Sequence, residues 1–161
     1  MILEEKLVED RFLTPWWEAD PCPDDCLCHA SSQSEISRMV GKTRDNPYFN
    51  HAVYVLECRH RPEKSAKLLA INALDVKSVP GWVIGAARSE RLLYVGLSKR
   101  PVTRIWHHAT ARGANFTKVF PPVRLLDIDW HPTLADSYRE EPKKAQHLRK
   151  HLDKAFVSQP G

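Results

Sequence analysis

The chain has 161 residues, 42% of them apolar and 27% charged, with a net charge of +4. That is apolar material for one modest core, hence for one domain with an appendage. No stretch reaches the roughly 20 consecutive apolar residues that span a bilayer, and the start Met1-Ile2-Leu3-Glu4 lacks the runs of a signal peptide. A chain in the cytoplasm with no membrane partner is expected.

The first 25 residues are acidic, with Glu4, Glu5, Glu9, Asp10, Glu18, Asp20, Asp24 and Asp25 against Lys6 and Arg11. Leu3, Leu7, Val8, Phe12 and Leu13 fit a short amphipathic helix over 1–19 that ends near Pro15. Residues 20–33 are rich in Pro, Asp and Cys and read as loop. Cys22, Cys26, Cys28 and His29 cluster there. Zinc takes four such ligands in a tetrahedron. The spacing is irregular and Cys28 adjoins His29, so unpaired loop thiols are the plainer reading and a structural Zn²⁺ the alternative. Residues 34–43 form a second short helix with Ile36, Met39 and Val40 on one side, and Asp45-Asn46-Pro47 marks a turn. Residues 1–48 are therefore an N-terminal extension, and 49–161 the compact domain.

Ala52 to Cys58 is short and rich in strand formers, so it reads as a buried strand with Cys58 a buried free thiol. Residues 59–90 are an insertion, with a helix over Glu63–Leu74, a break at Val79-Pro80-Gly81 and a candidate strand at Trp82–Ala86. Leu92 to Leu97 is apolar throughout, as a central strand is. Lys99 to Arg112 reads as a helix with Pro101 in its first turn and Gly113 at its end. Val102, Ile105, Trp106 and Ala109 make its apolar stripe, while Arg104 and His108 share another face. From Val123 to Trp130, apolar residues alternate with Asp127 and Asp129, the pattern of a half-buried antiparallel strand. A last helix is expected from Thr133 to Phe156. Its face Leu134, Tyr138, Glu141, Ala145, Leu148, Leu152 turns Glu141 inward and Glu140 to solvent. Pro142, directly after Glu141, raises a kink or restart at that point.

Charge is unevenly spread. Arg91 to Leu126 contains no Asp or Glu but carries Arg91, Lys99, Arg100, Arg104, Arg112, Lys118 and Arg124. Such a stretch is either a solvated basic face or a surface for a polyanion, with Lys99, Arg100, Arg112 and Lys118 as candidate DNA-backbone contacts.

Within this order, Arg104 stands eight residues past Gly96, and His108 follows one helical turn later. Ala52-Val53-Tyr54 and Tyr94-Val95-Gly96 resemble the two signature tripeptides of the GIY-YIG endonuclease family, whose small URI-type and excision-repair nuclease domains are the nearest in kind. The resemblance covers about residues 51–152. Ala52 stands where the family has glycine, and the 59–90 insertion replaces the usual tight hairpin.

The resemblance implies an α+β fold: a small three-stranded antiparallel sheet flanked by helices, with the N-terminal helical and loop extension and the insertion between the first two strands added. It implies a metal-dependent endonuclease acting on DNA, either structure-directed in repair or recombination or directed to a duplex site as restriction and homing enzymes are. Tyr54 and Tyr94 would hydrogen-bond around the attacking water, one of them as general base. Arg104 would clamp the phosphate, His108 would donate to it or position the water, and Glu141 would hold Mg²⁺ or Mn²⁺. A free tyrosine has a pKa of about 10, so only roughly one in a thousand is ionised at pH 7. The competing reading is a noncatalytic nucleic-acid-binding module that uses the basic 91–124 surface and needs neither the tyrosines nor Glu141.

Overall fold

The computed structural model describes Leu27 and residues 32–159. The helix expected over 1–19 and the Cys22, Cys26, Cys28, His29 cluster lie outside the described residues. The elements run α1 (Gln33–Gly41), β1 (His51–Cys58), α2 (Glu63–Leu74), α3 (Gly81–Ala87), β2 (Arg91–Ser98), α4 (Pro101–Ala109), α5 (Asn115–Val119), β3 (Pro122–His131), α6 (Leu134–His151) and β4 (Ala155–Ser158).

The fold is α+β, but the sheet has four strands in the order β3-β1-β2-β4 and is mixed. This corrects the expected three-stranded antiparallel sheet. Strand β1 pairs antiparallel with both β2 and β3, whereas β4 pairs parallel with β2. The extra strand comes from the segment read as the end of the last helix. That helix stops at His151, and Lys154 turns the chain through a left-handed conformation at φ 60°. The Lys154 carbonyl accepts from Glu90 N–H at 2.9 Å, which docks Ala155-Phe156-Val157-Ser158 along β2.

The insertion is likewise helical throughout its regular parts. Trp82–Ala86, the candidate strand, lies within α3, with Val83, Ala86 and Ala87 on the buried side at the helical spacing of three and four. Pro80 precedes the helix, where its missing N–H costs nothing. Helices α2 and α3 cover one face of the sheet together with α1, α4 and α5. Ile36 and Val40 of α1 belong to that same core, which also contains Tyr54, Leu56, Leu92, Tyr94, Ile105, Phe116 and Phe120. Among the described residues, helix α6 alone covers the other face, where Val53, Val55, Leu93, Val95 and Leu126 meet Ala145 and Leu148.

Because α6 lies on that face, Asp127 is buried and does not point to water as a half-buried strand would have it, while Asp129 stays partly exposed. Both carboxylates pair with Lys144 of α6, itself 6% exposed. The same face holds a second ionic cluster at the far end of β1. Glu57 is fully buried, its Oε2 accepting from Arg91 Nε and Nη2 at 2.9 and 2.7 Å and its Oε1 from Arg124 Nη2 at 3.0 Å. Two of the cations counted as a basic surface are therefore internal counter-ions, which takes Arg91 and Arg124 away from any phosphate-tracking role. Among the described residues no helix is long and apolar enough to cross a membrane.

Candidate active site

The cross-strand register explains the spacing of the two tripeptides. Tyr54 lies directly opposite Gly96, and Tyr94 opposite Leu56, so both tyrosines project from the same face of the sheet. The Tyr54 ring lies across Gly96: a Cβ at that position would sit 2.7 Å from Tyr54 Cζ and Oη. Glycine is required here by the ring above it. Gly96→Ala is expected to cost about 1–3 kcal/mol through overpacking and to push the Tyr54 hydroxyl out of place. Thermal melting and cleavage rate read the two effects separately, and a variant matching wild type in both would refute the requirement.

His108 is fully buried between the tyrosines, its ring centroid 5.9 Å from that of Tyr54 and 4.8 Å from that of Tyr94. Its Nε2 lies 3.0 Å from Tyr54 Oη and its Nδ1 lies 2.8 Å from Thr117 Oγ1. The Thr117 hydroxyl donates to the Ala114 carbonyl at 3.0 Å, which leaves its oxygen to accept from Nδ1–H. A longer approach of Ala114 N–H to Nδ1, at 3.4 Å, favours the other tautomer, but the short Thr117 bond outweighs it. Nε2 then presents its lone pair to the Tyr54 hydroxyl. Gly113 makes room for this arrangement, since a Cβ there would lie 2.3 Å from Nδ1. Its work is to admit the imidazole; the helix it was expected to end stops earlier, at Ala109, and the left-handed residue is Ala111 at φ 59°.

Burial, and then the charges of Arg104 and His107, push the His108 pKa down to about 3, so the ring is neutral at physiological pH. This carries a sign for stability. The unfolded imidazole titrates near 6.5, so between 6.5 and 3 the unfolded chain binds more protons and stability falls as pH drops. Glu141 opposes this: burial raises its carboxyl pKa, so its contribution is lost as pH rises above 4.5. His108→Gln is expected to flatten the acid-side slope. Urea midpoints in EDTA, compared at about pH 7 and about pH 5, read it; an unchanged slope in the variant would contradict a buried neutral imidazole.

Burial raises both tyrosine hydroxyls, Tyr54 further than Tyr94, which is pushed up to about 12. The Arg104 guanidinium, within hydrogen-bonding reach of both, works the other way but does not win. Both phenols are therefore neutral at pH 7.

Glu141 reaches the site from the other face of the sheet. Helix α6 runs unbroken through Pro142, which lies on the exposed side with Tyr138, so the Tyr138 carbonyl that loses its N–H donor faces solvent rather than the core. Its buried side is Ser137, Glu141, Lys144, Ala145, Leu148, so Glu141 faces inward as expected. Leu134 and Tyr138, expected on that stripe, are 36% and 63% exposed. The helix and the tyrosines meet because β4 stops early. Its register with β2 ends at Tyr94 opposite Ser158, so among the described residues β2 has no strand partner on that edge from Val95 to Ser98. A cleft of about 440 Å³ opens at that edge, lined by Tyr54, Tyr94, Leu97, Arg104, Tyr138, Glu141, Pro142 and Gln159.

The structure thus brings Tyr54, Tyr94, Arg104 and Glu141 to one cleft and keeps His108 behind Tyr54, out of the lining. Lys99, Arg100 and Arg112 are exposed and Lys118 is half-buried, and none of the four lines the cleft. Arg112 stacks over Trp106, its Cζ 4.1 Å from the ring centroid. Gln159 escapes sequence reasoning, because it follows a strand that was read as helix. Thr117, expected from the Gly113–Lys118 segment to be structural, pairs with a histidine nine positions away.

The donor set fits a hard divalent cation. Glu141 is 6% exposed and makes no hydrogen bond or ion pair with another described residue, yet its carboxylate opens on the cleft. Such a group calls for a cation, and one carboxylate with several waters is how Mg²⁺ is commonly held. Among the described residues no three His, Cys, Asp or Glu side chains group as a closed metal site. The chain matches no protein-family model, no curated protein and no solved structure. The likeness to the GIY-YIG family rests on these residues and their spacing.

Proposed function

We propose that the chain is a metal-dependent endonuclease that hydrolyses phosphodiester bonds of DNA at the β2 edge. The observation that carries this is the convergence of Tyr54 and Tyr94 from two adjacent strands, Arg104 from the helix α4 on one face of the sheet and Glu141 from the helix α6 on the other, on one cleft. Arg104 binds the scissile phosphate through its planar fork and stabilises the charge that grows on its oxygens. Glu141 holds Mg²⁺ or Mn²⁺, which when bound supplies acidification of a coordinated water and neutralisation of the phosphate.

Tyr54 and Tyr94 act as neutral hydrogen-bonding groups. With its own proton directed to His108 Nε2, the Tyr54 oxygen turns its lone pairs to the cleft and orients a water by accepting from it. His108 fixes that direction and takes no charge. A phenolate base is not needed, and burial disfavours one. The noncatalytic alternative draws less support, because Arg91 and Arg124 are buried against Glu57. The test is nicking of supercoiled plasmid and of a branched oligonucleotide with Mg²⁺ or with EDTA. Cutting that needs the metal supports the proposal; binding of both substrates without cutting in either condition favours the noncatalytic module.

A further inference from the structure

Next to the cleft lies a second cavity of about 440 Å³, which shares Tyr94, Arg104 and Gln159 with it. Its walls are aromatic. Phe116 forms a buried floor, stacked within 5° of parallel on Phe156 at 5.8 Å, and Trp82 leans 41° from Phe116 at the same distance. Trp82 and Phe156 are only half-buried, so each offers ring surface to the cavity. Trp82 comes from the insertion and Phe156 from β4, the two parts of the chain that a minimal three-stranded domain lacks.

The mouth is cationic. Arg149 Nη2 donates to the Val157 carbonyl at 2.8 Å and its Nη1 to Gln159 Oε1 at 3.3 Å, which holds the guanidinium at the rim. Among the described residues the lining contains Arg104, Arg149 and the Asn115 amide but no carboxylate. The volume falls in the range of about 300–1,000 Å³ typical of pockets for small planar ligands. An aromatic wall, a cationic mouth and continuity with a phosphate-binding arginine together match one nucleotide: base inside, phosphate on Arg104.

We propose that this cavity holds an unpaired nucleobase of the DNA strand being cut, stacked on Trp82 and Phe156, next to the phosphate on Arg104. This rests on the nuclease reading of the adjoining cleft. A base inside a duplex is stacked on both faces and must leave the stack to enter, whereas one at a flap, branch or mismatch enters at little cost. The pocket therefore selects DNA with an unpaired nucleotide at the cut.

The test is a cycle between protein and base. The cut is first mapped on a branched oligonucleotide with Mg²⁺. Cleavage is then compared with an abasic tetrahydrofuran at each nucleotide flanking it. Wild type is expected to cut the base-bearing strand about 10–100-fold faster than one of the two abasic strands, the scale of one stacked base. Trp82→Leu brings that ratio close to one, and Trp82→Phe keeps most of it. Equal rates with and without the base in wild type, or a full ratio in a folded Trp82→Leu, overturn the pocket and leave the nuclease standing. If Trp82→Leu does not fold, the ratios of wild type and Trp82→Phe decide. Wild type that cuts no substrate overturns the nuclease reading and the pocket with it.

Discussion

Arg104→Ala is expected to slow metal-dependent cleavage by about 10²–10³-fold, the scale of losing one charge-stabilising donor from a transition state. Among the described residues, Arg104 is the one cation that lines the main cleft, and it stands beside both tyrosine hydroxyls. Its removal takes away the phosphate fork. It also removes the one influence that lowers the two phenols, whose pKa values then rise further. Arg104→Lys is expected to recover little, because an ammonium is a point charge without the planar pair of donors. The exposed Lys99 and Arg100 remain, so affinity for uncut DNA falls far less than the rate. Single-turnover rates beside equilibrium binding measure the two, and a rate loss below about tenfold would remove Arg104 from the chemistry.

Glu57→Ala is expected to destabilise the fold by about 3–5 kcal/mol, the cost of leaving buried charge uncompensated. Here one carboxylate, fully buried, serves two guanidiniums that are themselves 7% and 6% exposed. Glu57 is central in the sheet, opposite Leu93 on one side and Arg124 on the other, so the orphaned cations cannot swing out without opening the strands. Urea unfolding measures the loss. Replacing all three by apolar residues of similar volume is expected to recover much of it, because a buried ion pair contributes little against a packed apolar substitute. A stable Glu57→Ala would mean that water reaches the arginines.

What could be read from the sequence was what depends on local pattern. The strands around Tyr54 and Tyr94 follow from short apolar runs of strand formers, and the helix carrying Arg104 and the inward turn of Glu141 from the 3.6 period. The errors fell where tertiary pairing decides. Ala155 and Phe156 read as the end of a long helix, and it is pairing with the edge of β2 that makes Ala155–Ser158 a strand. Trp82–Ala86 is short and apolar, which fits strand or helix equally until α2 and the sheet are packed beside it. Asp127 and Asp129 alternate as though solvated, but Lys144 from a distant helix pairs with both. The basic run Arg91–Arg124 looked continuous because Glu57, which pairs with both of its ends, is 34 and 67 positions away. In the site, nothing local told that His108 would be buried behind Tyr54, or that Gly96 and Gly113 leave room for those two rings.

The most direct measurement is Mg²⁺-dependent cleavage of supercoiled plasmid and of a branched oligonucleotide by wild type and Glu141→Ala, with DNA binding measured in parallel. Glu141 lies on the surface of the cleft and has no described partner to lose, so the variant is expected to fold and to bind DNA. The predicted result is cutting by wild type that EDTA abolishes and that Glu141→Ala does not perform. Cleavage retained by a folded Glu141→Ala, or wild-type cutting that is indifferent to EDTA, would contradict a metal-dependent nuclease built on this cleft.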